Sequence, residues 1–253
     1  MAKLKNIVKF LDTLLESNDY DDYCPNGLQV EGEDAVSTIA LGVSASLNIF
    51  KEAQKKGAQA ILVHHGLIWG EKKFNRITGI FKERVRFLLK NDISLIGYHL
   101  PLDGHKKYGN NILIAKKIGL KKISFFAKHG NHNIGVKGFL SKPVSFREIH
   151  KKLNTVFGQV NASYSFNDSS IRQVAIVSGG ASKDFLEAAE NNIDLFITGE
   201  NGEPIQEIAR ETQKSFISCG HYATERFGLI ELGKILQKKF KVKTFFIDIP
   251  NKA

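Results

Sequence analysis

The stretch IALGVSASLNIFKEAQKKGAQAILVHH, residues 39 to 65, indicates the fold of the chain because a similar stretch recurs later in the sequence. Shifted by 135 positions, it lies without a gap on VAIVSGGASKDFLEAAENNIDLFITGE, residues 174 to 200. Ala40, Phe50 and Ala53 meet identical residues in this alignment. In both copies an apolar strand leads through a turn of small residues to an amphipathic helix and a second apolar strand. Each copy is therefore predicted to be a βαβ unit, with parallel strands joined by a right-handed crossover.

The likeness continues into the next strand of each copy. SLIGYHLPLD (94–103) and FISCGHYATE (216–225) both end an apolar strand in a histidine, which an acid follows after three residues. The pattern predicts an α/β protein of two similar α/β domains, with mixed, largely parallel sheets flanked by helices. The first half is placed at 1–125 and the second at 126–253, because a glycine-rich polar stretch follows the first half. An extension near 130–170, with strand-like pieces around a helix, is assigned to the second half.

The composition narrows the class of protein. The chain has 36 Lys and Arg against 26 Asp and Glu, a formal net charge of +10. The lysines are scattered as pairs, which favours a solvated surface, although nucleic acid or an anionic substrate also agrees with this charge. Only Cys24 and Cys219 are present, and no apolar stretch approaches the roughly 20 residues that span a bilayer, so neither a disulfide framework nor a membrane anchor is expected. Residues 1–17 have the pattern of an amphipathic helix rather than a targeting signal, and we expect a cytoplasmic protein.

Histidines and an acid mark the ends of the predicted strands. In open α/β sheets, ligands bind beyond the carboxyl ends of the strands. His64 and His65 are adjacent, and neighbours on a strand point to opposite faces, so both can serve one site only at the strand end, or each can serve a different metal. His221 and Glu225, at i and i+4, would project from the same face of a helix. This pattern predicts a metal centre, and a dinuclear one would use both adjacent histidines.

Three further residues complete the predicted site. Pro101 disfavours helix at the residue before it, so Asp103 is predicted to lie on a loop. His99 mirrors His221 in the repeat and is expected to contact substrate or to orient a ligand rather than to bind metal. Glu200 occupies the repeat position of His65 and is a candidate lining residue. Two divalent metals, two carboxylates and a bridging hydroxide leave a net positive centre, which would attract phosphate and acidify a bound water.

Five motifs carry a resemblance to a known family. In chain order they are NGLQVEG, ILVHHGLIWG, YHLPLDGH, ITGE and GHYATERFGL, and they extend over nearly the whole sequence. In these motifs the chain resembles the Nif-three-like family, also labelled GTP cyclohydrolase type-two homologues. The resemblance implies two similar α/β domains, a dinuclear divalent-metal site between them, and a ring-shaped homohexamer.

The resemblance also assigns ligands to two divalent metal ions. The implied set is His64 and His65 for one metal each, Asp103 for the first, His221 for the second, and Glu225 as a bridge. Ser44 stands where the family often has an aspartate, so neither a role in substrate binding nor one in orienting a ligand is carried over to it. Zinc, iron and manganese all accept histidine and carboxylate ligands, and the sequence leaves the choice among them open.

Two hypotheses of function follow, from different classes. The first is a metal-dependent hydrolase acting on GTP or a related nucleotide, in which a metal-bound hydroxide would attack C8 of guanine and formate would leave. The alternative is a non-catalytic, ring-forming, metal-binding adaptor that contacts nucleic acid or protein partners. A net positive centre in a basic chain suits a nucleotide or another phosphate-bearing small molecule as the partner.

Overall fold

The computed structural model describes residues 1–70 and 76–251. Within these residues the strands are β1 (Ala2–Lys3), β2 (Gly27–Val30), β3 (Ala35–Val36), β4 (Thr38–Ser44), β5 (Ala60–His65), β6 (Ser94–Gly97), β7 (Lys121–His129), β8 (His132–Val144), β9 (Ala162–Tyr164), β10 (Ile171–Ile176), β11 (Leu195–Thr198), β12 (Ser215–Ser218) and β13 (Lys243–Phe246). The α-helices are α1 (Leu4–Leu15), α2 (Leu47–Lys55), α3 (Gly79–Lys90), α4 (Leu100–Gly104), α5 (Asn110–Lys117), α6 (Phe146–Phe157), α7 (Phe185–Glu190), α8 (Ile205–Thr212), α9 (His221–Thr224) and α10 (Arg226–Phe240). The alternation of strands and helices confirms the α/β class.

The chain forms two compact units. The first consists of Met1–Leu102 and Gly228–Ile249, and the second is built on Asp103–Phe227. This division differs from the predicted halves, 1–125 and 126–253, because β13 pairs in parallel with β4 and so returns the end of the chain to the first sheet. Sequence periodicity describes each strand by itself and carries no information about such a long-range partner.

The sheet of the first unit has the strand order β13, β4, β5, β6, β2. Its first four strands are parallel, and β2 closes one edge antiparallel to β6. The central strands are continuous apolar runs because helices cover both faces of such a sheet, and in β5 the residues from Ala60 to His64 are all buried. The helix α2 begins at a cap in which Ser46 Oγ accepts a hydrogen bond from the amide of Ile49. A separate antiparallel pair joins β1 and β3.

The sheet of the second unit has the strand order β7, β8, β10, β11, β12, β9. The strands β10, β11 and β12 are parallel, whereas β8 and β9 are antiparallel to their neighbours β10 and β12. The predicted extension near 130–170 therefore supplies strands on both sides of the parallel core. The helix within it, α6, begins with a reciprocal capping box between Ser145 and Glu148 and ends at Gly158 in the left-handed conformation.

The predicted repeat is confirmed in the packing of both units. The pairs of strands β4–β5 and β10–β11 are parallel and are joined through α2 and α7. The repeated alanines and phenylalanines lie in the two cores with at most 1% of their surface exposed: Ala40 and Ala175, Phe50 and Phe185, Ala53 and Ala188. In each sheet an antiparallel edge strand lies beside the last parallel strand, β2 beside β6 and β9 beside β12, so the structural likeness extends beyond the aligned residues.

No helix among the described residues is both long enough and apolar enough to cross a membrane.

Replacing a repeated core phenylalanine should cost far more stability than replacing its exposed neighbour. Phe185 is 1% exposed and packs against Phe196 and Phe216, whereas the adjacent Leu186 is 46% exposed. We expect Phe185→Ala to lower the free energy of unfolding by about 3–5 kcal/mol, because it leaves a cavity between these rings. Leu186→Ala should change it by less than about 0.5 kcal/mol. Urea denaturation followed by circular dichroism measures both, and equal losses would contradict this packing.

Candidate functional site

The first unit brings three histidines together at the carboxyl ends of its strands. His64 and His65 are the last two residues of β5, and His99 follows β6. One ring nitrogen of each lies within 4.8 Å of one ring nitrogen of the others. The ring centroids of His64 and His65 are 4.7 Å apart, so the two neighbours do share one cluster, as is possible where a strand ends. His64 is fully buried, His99 is 6% exposed and His65 is half-buried.

Each of these histidines is oriented by a hydrogen bond at Nδ1. His64 Nδ1 donates to the carbonyl oxygen of Tyr98 at 2.9 Å, and His65 Nδ1 lies 2.9 Å from Ser44 Oγ. His99 Nδ1 donates to the carboxylate of Asp22 at 3.0 Å. Metal-binding histidines have this arrangement, in which a partner of one ring nitrogen fixes the tautomer and the other nitrogen serves as the ligand atom. Ser44 thus orients His65, although the resemblance assigned it no such role.

Asp22 connects His99 to the loop that precedes β2. Its side chain is 2% exposed and also accepts hydrogen bonds from the amide of Leu100 at 2.9 Å and from the amide of Cys24 at 3.1 Å. Burial by itself raises the pKa of Asp22, but the hydrogen bond and charge of His99 and the donors Cys24 and Asn26 outweigh burial, and the pKa lies below its ordinary value. Asp22 is therefore an ionised acceptor that holds His99 in place.

Asp103 lies in the short helix α4, in the second unit, and not on the predicted loop. Pro101 is in the first turn of this helix, where a missing N–H costs no helical hydrogen bond. Asp103 is 5% exposed. Its Oδ1 accepts hydrogen bonds from Asn110 Nδ2 and Ser178 Oγ, both at 2.9 Å. The amide of Ser178 in turn donates to Asn111 Oδ1 at 2.7 Å, so the carboxylate is held by a buried polar network.

The second unit also brings together His221, Glu225 and Glu200. His221 begins α9 and Glu225 is its C-cap, and the imidazole Nε2 lies 3.1 Å from the Glu225 carboxylate, in agreement with the predicted i, i+4 pair. Nδ1 of His221 donates to Glu200 Oε1 at 2.6 Å, so Glu200 orients the ring. Burial lowers the pKa of His221, but the hydrogen bonds and charges of Glu225 and Glu200 outweigh burial and raise it to about 9.

Gly179 leaves the space that the Glu225 carboxylate occupies. Its φ is +70°, a conformation that L side chains rarely adopt. A Cβ at this position would overlap Glu225 Oε1 and would lie 3.2 Å from His221 Nε2. The residue at the corresponding repeat position is Ser44. The two copies have different residues in this turn because Gly179 faces Glu225, whereas Ser44 contacts His65.

The chemistry of these residues fits divalent cations. In the first unit, three oriented imidazoles converge. In the second, carboxylate oxygens of the buried Asp103 and Glu225 lie within 4.8 Å of each other. Carboxylates this close in a poorly solvated site repel each other when they are ionised, and a cation would compensate their charge. Imidazole and carboxylate are ligands that zinc, iron and manganese share.

All predicted site residues thus lie in one of two clusters, each within its own unit. The first holds His64, His65 and His99, and the second holds Asp103, Glu200, His221 and Glu225. Sequence reasoning missed Asp22, Asn110 and Ser178, which orient the predicted residues. The Pro-Asn-Gly turn after Asp22 was the nearest signal, but an acid in a polar loop has no distinctive pattern. Cys219, which precedes His221 of the second cluster in the chain, is fully buried, and burial raises the pKa of its thiol to about 12.

Comparisons with known proteins agree with this arrangement. A family model described as Duf34/NIF3 (NGG1p interacting factor 3) matches residues 2–252. A protein of Archaeoglobus fulgidus named GTP cyclohydrolase 1 type 2 homolog is 38% identical over 247 residues, 98% of either chain. A Pseudomonas aeruginosa protein of the same name is 37% identical over 251 residues, which cover 99% of this chain and 98% of the relative.

Two solved structures have the same fold over the whole chain. A structure described as protein ybgI, of unknown function, has a TM-score of 0.90 and 36% identity, and covers 99% of this chain and 100% of that one. The Thermus thermophilus protein TTHA1606 has a TM-score of 0.89 and 29% identity over the same shares of the two chains. These two proteins therefore share the α/β fold of this chain. The chain belongs to the Duf34/NIF3 family, which confirms the resemblance drawn from its motifs.

Alanine at position 179 should destabilise the protein more than alanine at a glycine with the same backbone conformation. Gly158 has a φ of +80° with no atom near its missing Cβ, so Gly158→Ala reports backbone strain alone, about 1 kcal/mol. Gly179→Ala adds the overlap with Glu225, and we expect a loss at least about 1 kcal/mol larger. Paired urea denaturation curves measure the difference. Equal losses would show that the Glu225 carboxylate does not occupy the space beside Gly179.

Proposed function

We propose that the protein is a metal-dependent hydrolase of GTP or a related nucleotide. The proposed ligands of two divalent metal ions are His64, His65, Asp103, His221 and Glu225. One observation carries the proposal: His64, His65 and His221 are each held at Nδ1 by a carbonyl, hydroxyl or carboxylate partner. A partner at Nδ1 fixes the tautomer and makes Nε2 the proposed ligand atom, as in metal-binding histidines.

The buried carboxylates support the same ligand set. Asp103 and Glu225 are 5% and 3% exposed, and Ser178 and Asn110 donate hydrogen bonds to Oδ1 of Asp103. These two donors are neutral groups that position the carboxylate. Divalent cations at such a site neutralise phosphate charge and make a water molecule acidic enough to attack near neutral pH.

The nucleotide substrate is supported by the names of the relatives and by charge. The two curated relatives described above, at 38% and 37% identity over nearly the whole chain, are both named as GTP cyclohydrolase homologues. The formal net charge of +10 agrees with an anionic substrate in general. In this proposal His99, held by Asp22, and Glu200, held against His221, face the substrate or orient the ligands.

Metal content should depend on both clusters. We expect about two divalent ions per chain in the native protein, and a loss of metal in His64→Ala and in Glu225→Ala. His150→Ala removes a half-buried histidine of α6 outside both clusters and is the matched control. Elemental analysis after purification without chelators measures the content, and circular dichroism checks that each variant is folded. Full metal content in either ligand variant would contradict the proposed set.

Hydrolysis should follow the metal. Native protein loaded with zinc, iron or manganese should convert GTP or another nucleotide in a broad panel, with products identified by mass spectrometry, and Glu225→Ala should not. A metal-loaded protein that converts none of these nucleotides would overturn the hydrolase proposal.

Removing a residue that orients Asp103 should weaken metal binding without removing a ligand. Ser178→Ala deletes one of the two hydrogen bonds to Oδ1, and we expect metal affinity to fall by about 10- to 100-fold. Ser169→Ala, an exposed serine of the same unit, is the control. Competition with a chelator of known affinity gives both values, and unchanged affinity in Ser178→Ala would argue against Asp103 as a ligand.

The assembly is proposed from the family resemblance. We propose a homohexamer, and light scattering of the purified protein gives the mass that decides it.

A further inference from the structure

Two aromatic side chains lie beside the histidine cluster of the first unit. Tyr23 is 61% exposed and Trp69 is half-buried. Their ring centroids are 5.7 Å apart and their planes differ by only 31°. Both rings stand nearly perpendicular to the imidazole of His99, at 5.1 and 5.5 Å, and Trp69 is also 6.0 Å from His65. The two aromatic faces therefore have similar orientations next to the proposed ligands.

The side chain of Trp69 and the backbone of Tyr23 are held in position by their surroundings. Trp69 Nε1 donates a hydrogen bond to the carbonyl oxygen of Gly66 at 3.1 Å, which uses the only polar atom of the ring. The carbonyl of Tyr23 accepts from the amide of Gly70 at 2.7 Å. On the other side of Tyr23, the Asp22 carboxylate accepts from the amide of Cys24. The backbone on which Tyr23 is carried is thus fixed on both sides.

The hydrogen-bonded indole of Trp69 and the fixed backbone of Tyr23 distinguish the pair from ordinary exposed apolar residues. Tyr23 contributes little to the core, yet the same buried Asp22 that orients His99 also holds the turn that carries it. The exposed aromatic surface of Tyr23, with Trp69 packed against it beside His99 and His65, suits a planar ring as the ligand, because stacking needs a π-face rather than specific hydrogen bonds. A simple phosphate ester would leave the surface uncovered.

We propose that Tyr23 and Trp69 form a stacking platform for the base of the nucleotide substrate. The platform places a purine ring next to His65 and His99 and selects nucleotides over other phosphate esters. This inference rests on the proposed function, since it names the part of the same site that would recognise the base.

Trp69 is the single tryptophan of the chain and reports directly on the platform. The purified full-length protein is titrated with guanosine and, separately, with inorganic tripolyphosphate, while its fluorescence is corrected with free tryptophan amide. We expect saturable quenching by guanosine and none by tripolyphosphate. Tyr23→Ala should weaken guanosine binding by about tenfold or more, because base–aromatic stacking is lost. Tyr23→Phe keeps the ring and should bind within about twofold of the native protein.

Two controls keep the result specific. Tyr164→Ala removes a tyrosine of the second unit and should leave the guanosine titration unchanged. Circular dichroism of Tyr23→Ala establishes that it is folded, and Tyr23→Phe provides an independent comparison if it is not. Absence of quenching by guanosine, or equal affinity in Tyr23→Ala and Tyr23→Phe, would overturn the platform.

The failure of this inference can be told from the failure of the proposed function. Metal binding and nucleotide turnover without any change in Trp69 fluorescence would overturn the platform and leave the hydrolase intact. Guanosine binding that depends on the Tyr23 ring, in a protein without turnover, would support the platform and overturn the hydrolase.

Discussion

The polar residues of both clusters can be buried only because each is tied to a hydrogen-bond partner. His64 has no solvent exposure, and the carbonyl oxygen of Tyr98 accepts a hydrogen bond from its Nδ1. Asp103 is held by Ser178 and Asn110. Without these partners each group would carry an uncompensated desolvation cost of a few kcal/mol, and the ends of the strands could not be packed as they are.

The parallel sheets provide the places where such residues can stand. A strand interior alternates its side chains between two covered faces, so polar groups there would be buried among helices. At the carboxyl end the chain turns away, and His65, His99 and His221 can leave the apolar layer while the preceding residues remain inside it. The apolar part of β5 therefore packs in the core, whereas its last two residues, His64 and His65, belong to the histidine cluster at the strand end.

The two copies of the repeat keep their core and differ at the site. Phe50 and Phe185 are equivalent and equally buried. At the strand ends the equivalents diverge: His65 corresponds to Glu200, and Ser44 corresponds to Gly179. At the core positions, packing constrains the volume of the side chain. At the strand ends, each residue is constrained by the particular side chain that it faces. Ser44 reaches His65, and Gly179 yields space to Glu225.

From the sequence we could predict the α/β class, the repeated βαβ unit and the residue types at the strand ends, because hydrophobic periodicity and local spacing are properties of neighbouring residues. It also identified the family through motifs spread along the chain. Tertiary structure alone decided that β13 joins the first sheet, that Asp103 lies in a helix, and that Asp22 holds His99. The β13 pairing and the Asp22–His99 contact join residues far apart in sequence, and Asp22 also accepts a hydrogen bond from the first amide of the helix that holds Asp103. The free energy of such contacts becomes favourable only once the intervening chain has folded.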